Sequence, residues 1–218
     1  MAYPTVSAPY GLKPVNLIGG QVFAGATRQI KIASAYATNI FYGDVVRISS
    51  DGVIVKETGT TTVSATGVVG VFLGCAFTSP VTKQFLTAQN WTAGTVASDA
   101  VAYVADDPDQ LFKVASVSSG TTVAFYGQTV IGNNAALVQN SGSTNTGDSA
   151  VAIDGANAAV TASLPMRIIA GVPDTANASG EFCEFIVKWN APYITLTEGT
   201  PNVVAWNGGH QYLNPTGV

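Results

Sequence analysis

The chain has 218 residues, a net charge of −4, and only 10% charged side chains, against an ordinary share of about 25%. It carries no Lys/Arg block, so direct nucleic-acid binding through a basic patch is excluded. No apolar run has the length of a helical membrane span.

A chain of this length buries a substantial core within a single domain. The missing charge is replaced by Thr, Ser, Asn and Gly, residues that suit strands and turns better than helix interiors. A mostly neutral surface also suits permanent assembly, because interface cores are depleted of charge.

Residues 1–20 carry Pro4, Pro9 and Pro14, each of which disfavours helix at its own position and the one before. Tyr3, Val6, Tyr10, Leu12 and Val15 make this stretch apolar as well as extended. It lacks the basic start and hydrophobic centre of a secretory signal. The expectation is an extended N-terminal arm over residues 1–20. Residues 1–15 should run along a neighbouring subunit or another protein rather than close the domain's own core. Tyr3, Tyr10 and Leu12 are the candidate interface residues, tyrosine combining apolar area with a polar tip.

Residues 21–218 are expected to form one β-rich domain. Arg28–Ala33 alternates, with Ile30 and Ile32 on one face. Gly43-Asp44 is a turn signal before Val45–Ile48, and Asp51-Gly52 is a hairpin signal before Val53–Val55. Thr58–Thr66 reads as a polar loop. Val68–Phe77 is almost wholly apolar and reads as a central strand, with Gly70 and Gly74 marking a bulge or a close backbone approach. Phe85–Trp91 reads as an irregular aromatic connection with a short helical turn.

Ala100–Val114 reads as strand, tight turn, strand, a hairpin with the densest charge in the chain. Pro108 presets φ for position i+1 of a type I turn, and the Asp107 carboxylate is placed to accept from the backbone two residues on. Thr121–Ile131 is a further strand-pair candidate. Residues 132–163 are rich in Asn, Ser, Gly, Ala and Thr and read as a long, flexible polar insertion, with a weak strand at Ser149–Ile153 and an exposed loop at Asn140–Asp148. Met166–Ala170, Phe182–Trp189 and Pro192–Thr197 read as strands. The polar ending NGGHQYLNPTGV is expected to be a second contact arm. The fold class is all-β, an antiparallel barrel or sandwich, with a β-tulip-like arrangement among the options.

No reacting constellation emerges. His210, the only histidine, has no metal or triad spacing, and GxSxG, HExxH and CxxC are absent. Asp106, Asp107 and Asp109 offer oxygen ligands for Ca²⁺, but the central Gly and terminal Glu of a calcium loop are missing, and turn chemistry accounts for them. Period 2 puts Cys183 on the face opposite Glu184, so Glu181 and Glu184 do not form a paired acid/base site. Cys75 and Cys183 read as buried free thiols in a protein folded in a reducing compartment. No enzyme activity, cofactor or metal is expected.

Several segments, PYGLKPV, ASAYATNIFYGDVV, VVGVFLGCAF, AYVADDPDQLFKV, LPMRIIAGV followed by FIVKWN, and the ending NPTGV, occur in this order over most of the chain. Together they resemble a family of tailed-phage head decoration, or cement, proteins made alongside the major capsid protein. The segment after MRIIAG reads VPDTANASG in place of the charged turn of that pattern. The resemblance implies a virion protein, folded in the host cytoplasm, that binds the outer capsid surface and stabilises the expanded shell. Its partners would be the major capsid protein and, in a homotrimer, itself. It brings no catalytic residues. The competing readings are a tail or fibre component, told apart by copy number, and a carbohydrate-binding β-sandwich using Trp91, Trp189, Trp206 and tyrosines as a stacking platform. A shell-forming protein would need helices and a long backbone that the sequence does not offer.

Overall fold

A computed structural model describes residues 6–64, 66–190, 193–195, 205–207 and 209–213. In chain order the strands are β1 (Lys13–Leu17), β2 (Arg28–Lys31), β3 (Val45–Ile48), β4 (Ile54–Lys56), β5 (Gly70–Thr78), β6 (Phe85–Ala88), β7 (Val101–Ala105), β8 (Gln110–Ser119), β9 (Thr122–Val123), β10 (Asn134–Ala135), β11 (Leu137–Val138), β12 (Ala152–Asp154), β13 (Met166–Gly171), β14 (Glu184–Trp189), β15 (Tyr193–Thr195) and β16 (Ala205–Asn207). Among the described residues the only helical backbone is three short 3-10 turns. The fold is all-β, as the composition requires, and its sheets do not close into a barrel.

One sheet has six strands in the order β2-β7-β5-β3-β4, with β6 also on β5. The other has eight, in the order β10-β13-β14-β8-β12-β11, with β1 and β9 also on β8. The pairings are antiparallel except that of β12 with β8. β15 and β16 pair separately. β8 organises its sheet. Phe112 and Lys113 pair with β14 on one edge and with β1 on the other, and the far half of β8 takes β12 and β9.

Two apolar clusters make this a sandwich. Val45, Val71 and Ala105 of the first sheet pack with Phe112, Val114, Ile168 and Phe185 of the second. Val46, Phe72, Cys75 and Val104 point the opposite way and pack under Ile32, Ile40 and Trp91 from the connecting segments. The centre of the six-stranded sheet is thus buried on both faces, which is why β5 reads as a continuous apolar run rather than an alternating one. Gly70 lies where β5 meets the end of β7. A Cβ there would sit 2.0 Å from the Ala105 carbonyl oxygen, so only glycine permits the approach.

Several expectations are corrected. The Ala100–Val114 stretch is not a hairpin: β7 pairs in the six-stranded sheet and β8 in the eight-stranded one, so the turn carries the chain between layers. Its chemistry is as read. Asp107 accepts from the Asp109 N–H at 2.7 Å, and the Gln110 N–H donates to the Asp107 carbonyl at 3.1 Å across Pro108. Phe85–Ala88 is a strand, not an irregular connection. Residues 132–163 are built into the sheet: β10, β11 and β12 lie there, and Ala135, Leu137, Val151 and Ile153 are core. They look polar in sequence because small side chains suffice between closely packed strands.

The arm is corrected too. The Leu12 side chain is fully buried in the inter-sheet cluster, and β1 is an integral strand of the eight-stranded sheet. Pro9 and Pro14 lie in extended backbone, but an extended apolar segment beside an open edge of β8 closes its own core first. Gly11, at φ +82°, crosses Gly43 so closely that a Cβ on it would meet Ser149 Cβ at 2.7 Å. The tail is likewise tied inward over residues 209–213. Gln211 exchanges hydrogen bonds with both backbone groups of Ile48, and its own N–H donates to the Val68 carbonyl.

Candidate interface surface

Of the three candidate interface residues, the structure brings two inward. Tyr3 lies outside the described residues. Leu12 is core. Tyr10 is half-buried, and its hydroxyl donates to the buried Glu184 carboxylate of β14, with the Lys113 ammonium 3.4 Å from the same oxygen. The Lys13 and Lys113 ammonium groups approach the Tyr10 ring at 5.2 and 5.7 Å. Burial, then the bond to Glu184, pushes the Tyr10 hydroxyl well above its ordinary pKa, so it stays a donor. These contacts staple the segment before β1 to the eight-stranded sheet.

A second buried ion pair ties the layers together. Asp44 is fully buried, accepts from the Phe41 N–H at 2.9 Å, the Ser149 hydroxyl at 2.6 Å and the Lys56 ammonium at 2.7 Å. Both carboxylate oxygens have donors, and one of these is a cation, which is what a buried carboxylate requires. The result is a body braced across both sheets.

The charged turn does not gather into a metal site. Asp106 takes Arg28 and the Tyr212 hydroxyl, Asp107 caps its own turn, and Asp109 takes the Lys188 ammonium at 2.6 Å. The three carboxylates thus diverge. No group of three or more metal-ligating side chains is placed to hold an ion among the described residues. Burial pushes the Cys75 thiol up to about 12, and both cysteines are free and buried. Of the three tryptophans proposed for sugar stacking, the side chain of Trp206 lies outside the described residues. Trp91 and Trp189 are core residues, each packed edge-on against a phenylalanine.

What the surface does offer was not read from the sequence. β6 pairs with β5 alone and is exposed along most of its length. At the tip of this β5–β6 hairpin, Val81 is 86% and Phe85 68% exposed. Val96, 60% exposed, lines a shallow depression with Pro80 and Thr78 beside them. The tip is held in shape: Asp99 accepts from both the backbone and the hydroxyl of Thr78, and the Ser79 hydroxyl accepts from the N–H groups of Val81 and Thr82. Phe85 and Leu86 of the edge strand β6 and Val81 of its turn are thus apolar side chains left exposed. Because both faces of β6 are exposed, its sequence lacks the alternation that betrays a strand. No protein-family model, curated protein or solved structure matches this chain.

Proposed function

We propose that the chain is a structural virion protein that binds the outer surface of a tailed-phage capsid, as a homotrimer, and stabilises the expanded shell. The observation that carries this reading is the apolar tip of the β5–β6 hairpin, displayed at the edge of a rigid two-layer body. The ordered run of segments resembling phage head decoration proteins supplies the identity of the partner, the major capsid protein. The low charged share of the chain and the two free thiols fit folding in a reducing cytoplasm followed by permanent assembly.

The work is thermodynamic. A protein that binds the expanded shell and not the compact one stabilises the former by about 2.7 kcal/mol per occupied site at a free concentration of 100 Kd. Summed over a shell, that opposes the pressure of packaged DNA. The test is co-sedimentation of the purified protein with compact and with expanded shells that lack it. The expected result is saturable binding to expanded shells alone. Equal binding to both forms, or to neither, overturns the proposal.

A further inference from the structure

A second feature lies at the far end of β6 from its tip. Lys13 of β1, Tyr42, Leu73 of β5, Gln89, Tyr103 of β7 and Asp148 line an open groove of about 460 Å³. That is within the size range of small-ligand sites. Leu73 packs against the inter-sheet cluster, which places the groove where the two sheets part.

Its polar groups ask for two things at once. Lys13 stands directly opposite Lys113 in the β1–β8 pairing, and like charges so placed repel. Lys113 has the Glu184 carboxylate at 3.4 Å. Among the described residues no carboxylate forms an ion pair with Lys13. Its ammonium has the Tyr10 and Tyr42 rings, at 5.2 and 5.6 Å from their centroids, and a ring face attracts a cation without cancelling its charge. The groove therefore holds a cation that an incoming anion would relieve. Asp148, in the same wall, asks for donors. One of its oxygens accepts from the Gln89 side-chain amide at 3.0 Å, and the other has no hydrogen bond from a described residue. Tyr42 and Tyr103 are half-buried, and neither hydroxyl has a protein partner among the described residues. Burial, then the charge of Asp148, pushes the Tyr42 hydroxyl above its ordinary pKa, so it stays able to donate.

We propose that this groove binds a sugar residue that carries a carboxylate, a uronic or sialic acid of a glycan. The carboxylate pairs with Lys13, ring hydroxyls donate to Asp148 and bond with the tyrosine hydroxyls, and the apolar C–H face of the sugar packs on the tyrosine rings. Both parts of the ligand are needed. A neutral sugar leaves Lys13 uncompensated. A phosphate dianion brings Asp148 no donor and is repelled by it. The site uses none of the tryptophans and does not depend on the partner being a phage shell.

The test is NMR on the full-length ¹⁵N-labelled protein, following the backbone amides of Lys13, Gly74 and Tyr103. The acidic probes are the methyl glycosides of glucuronic acid and of N-acetylneuraminic acid. The comparison probes are methyl glucoside, which lacks the carboxylate, and glycine, a zwitterion that also offers one charge of each sign. The expected result is saturable shifts with at least one acidic sugar at a Kd of about 10 mM or tighter. Methyl glucoside and glycine should bind at least about tenfold more weakly, as loss of a charge-assisted bond or of the sugar ring requires. Lys13→Gln should weaken the acidic sugar by a similar factor, while Lys31→Gln, at an exposed cation on β2, leaves it unchanged. Lys13→Glu sets a carboxylate opposite Lys113, so it should keep Tm and abolish binding. The proposal is overturned by the absence of a saturable shift with both acids, by equal or tighter binding of methyl glucoside or glycine, or by unaltered affinity in either Lys13 variant.

Discussion

Replacing Leu12 by alanine asks whether the N-terminal segment belongs to the body or to a partner. Leu12 is fully buried in the cluster that joins the two sheets, with Val45, Phe112 and Val151 among its members. The segment is pinned on both sides of it, with the Gly11 N–H on the Val151 carbonyl and the Leu12 N–H on the Gly43 carbonyl. The backbone therefore cannot collapse into the space left by the side chain. Truncating a buried leucine costs about 2–5 kcal/mol, the higher values where the site cannot relax. We take about 3 kcal/mol here, which for a chain of this size lowers Tm by about 6–12 °C. Urea unfolding followed by circular dichroism measures the free energy and thermal melting the temperature. A loss below about 0.5 kcal/mol, the range of ordinary surface substitutions, would refute the placement of Leu12 in the core and restore the arm to a role outside the domain.

Three further outcomes follow from the same contacts. Asp44→Ala leaves the Lys56 ammonium and the Ser149 hydroxyl without their acceptor and should cost about 3 kcal/mol. In a double-mutant cycle, Asp44→Ala with Lys56→Met should cost clearly less than the two singles added. The sign of the His210 effect comes from burial, which pushes its pKa below the ordinary value despite the backbones of Val69 and Asp106 favouring the charged form. Its contribution to stability is therefore complete above about pH 6.5 and is lost as pH falls from there through the lowered folded value. Denaturation curves between about pH 7 and 5 should show this step in the native chain and lack it in His210→Gln. Phe85→Lys, on the exposed β6, should change stability by less than about 0.5 kcal/mol yet abolish shell binding or trimer formation in light scattering. Wild-type assembly in that variant would remove the β5–β6 tip from the interface.

Much of the fold was legible because burial is periodic. Ile30 and Ile32 alternate as read and are buried. The Asp51-Gly52 hairpin joins β3 and β4 with Gly52 at φ +71°. The turn at Pro108 has the hydrogen bonds its residues dictate. Other features were hidden for physical reasons. Turn chemistry sets a chain reversal but not which sheet receives the next strand, so the β7–β8 connection looks like a hairpin in sequence and is a crossing between layers. Prolines at positions 4, 9 and 14 disfavour helix without saying what the segment lies on. Residues 132–163 hide their strands behind Ala, Ser and Asn, and Asn134 is itself buried with its amide donating to the Thr161 carbonyl. The exposed β6 carries no periodic signal at all.

The central claim, that this is an outer-surface capsid protein, is met most directly by a cryo-EM reconstruction of the particle that carries it. The account predicts trimeric density on the outside of the shell, with the β5–β6 tips at a contact and a copy number approaching that of the major capsid protein. Density confined to the tail or fibres, or a shell whose outer surface lacks this fold, would contradict it.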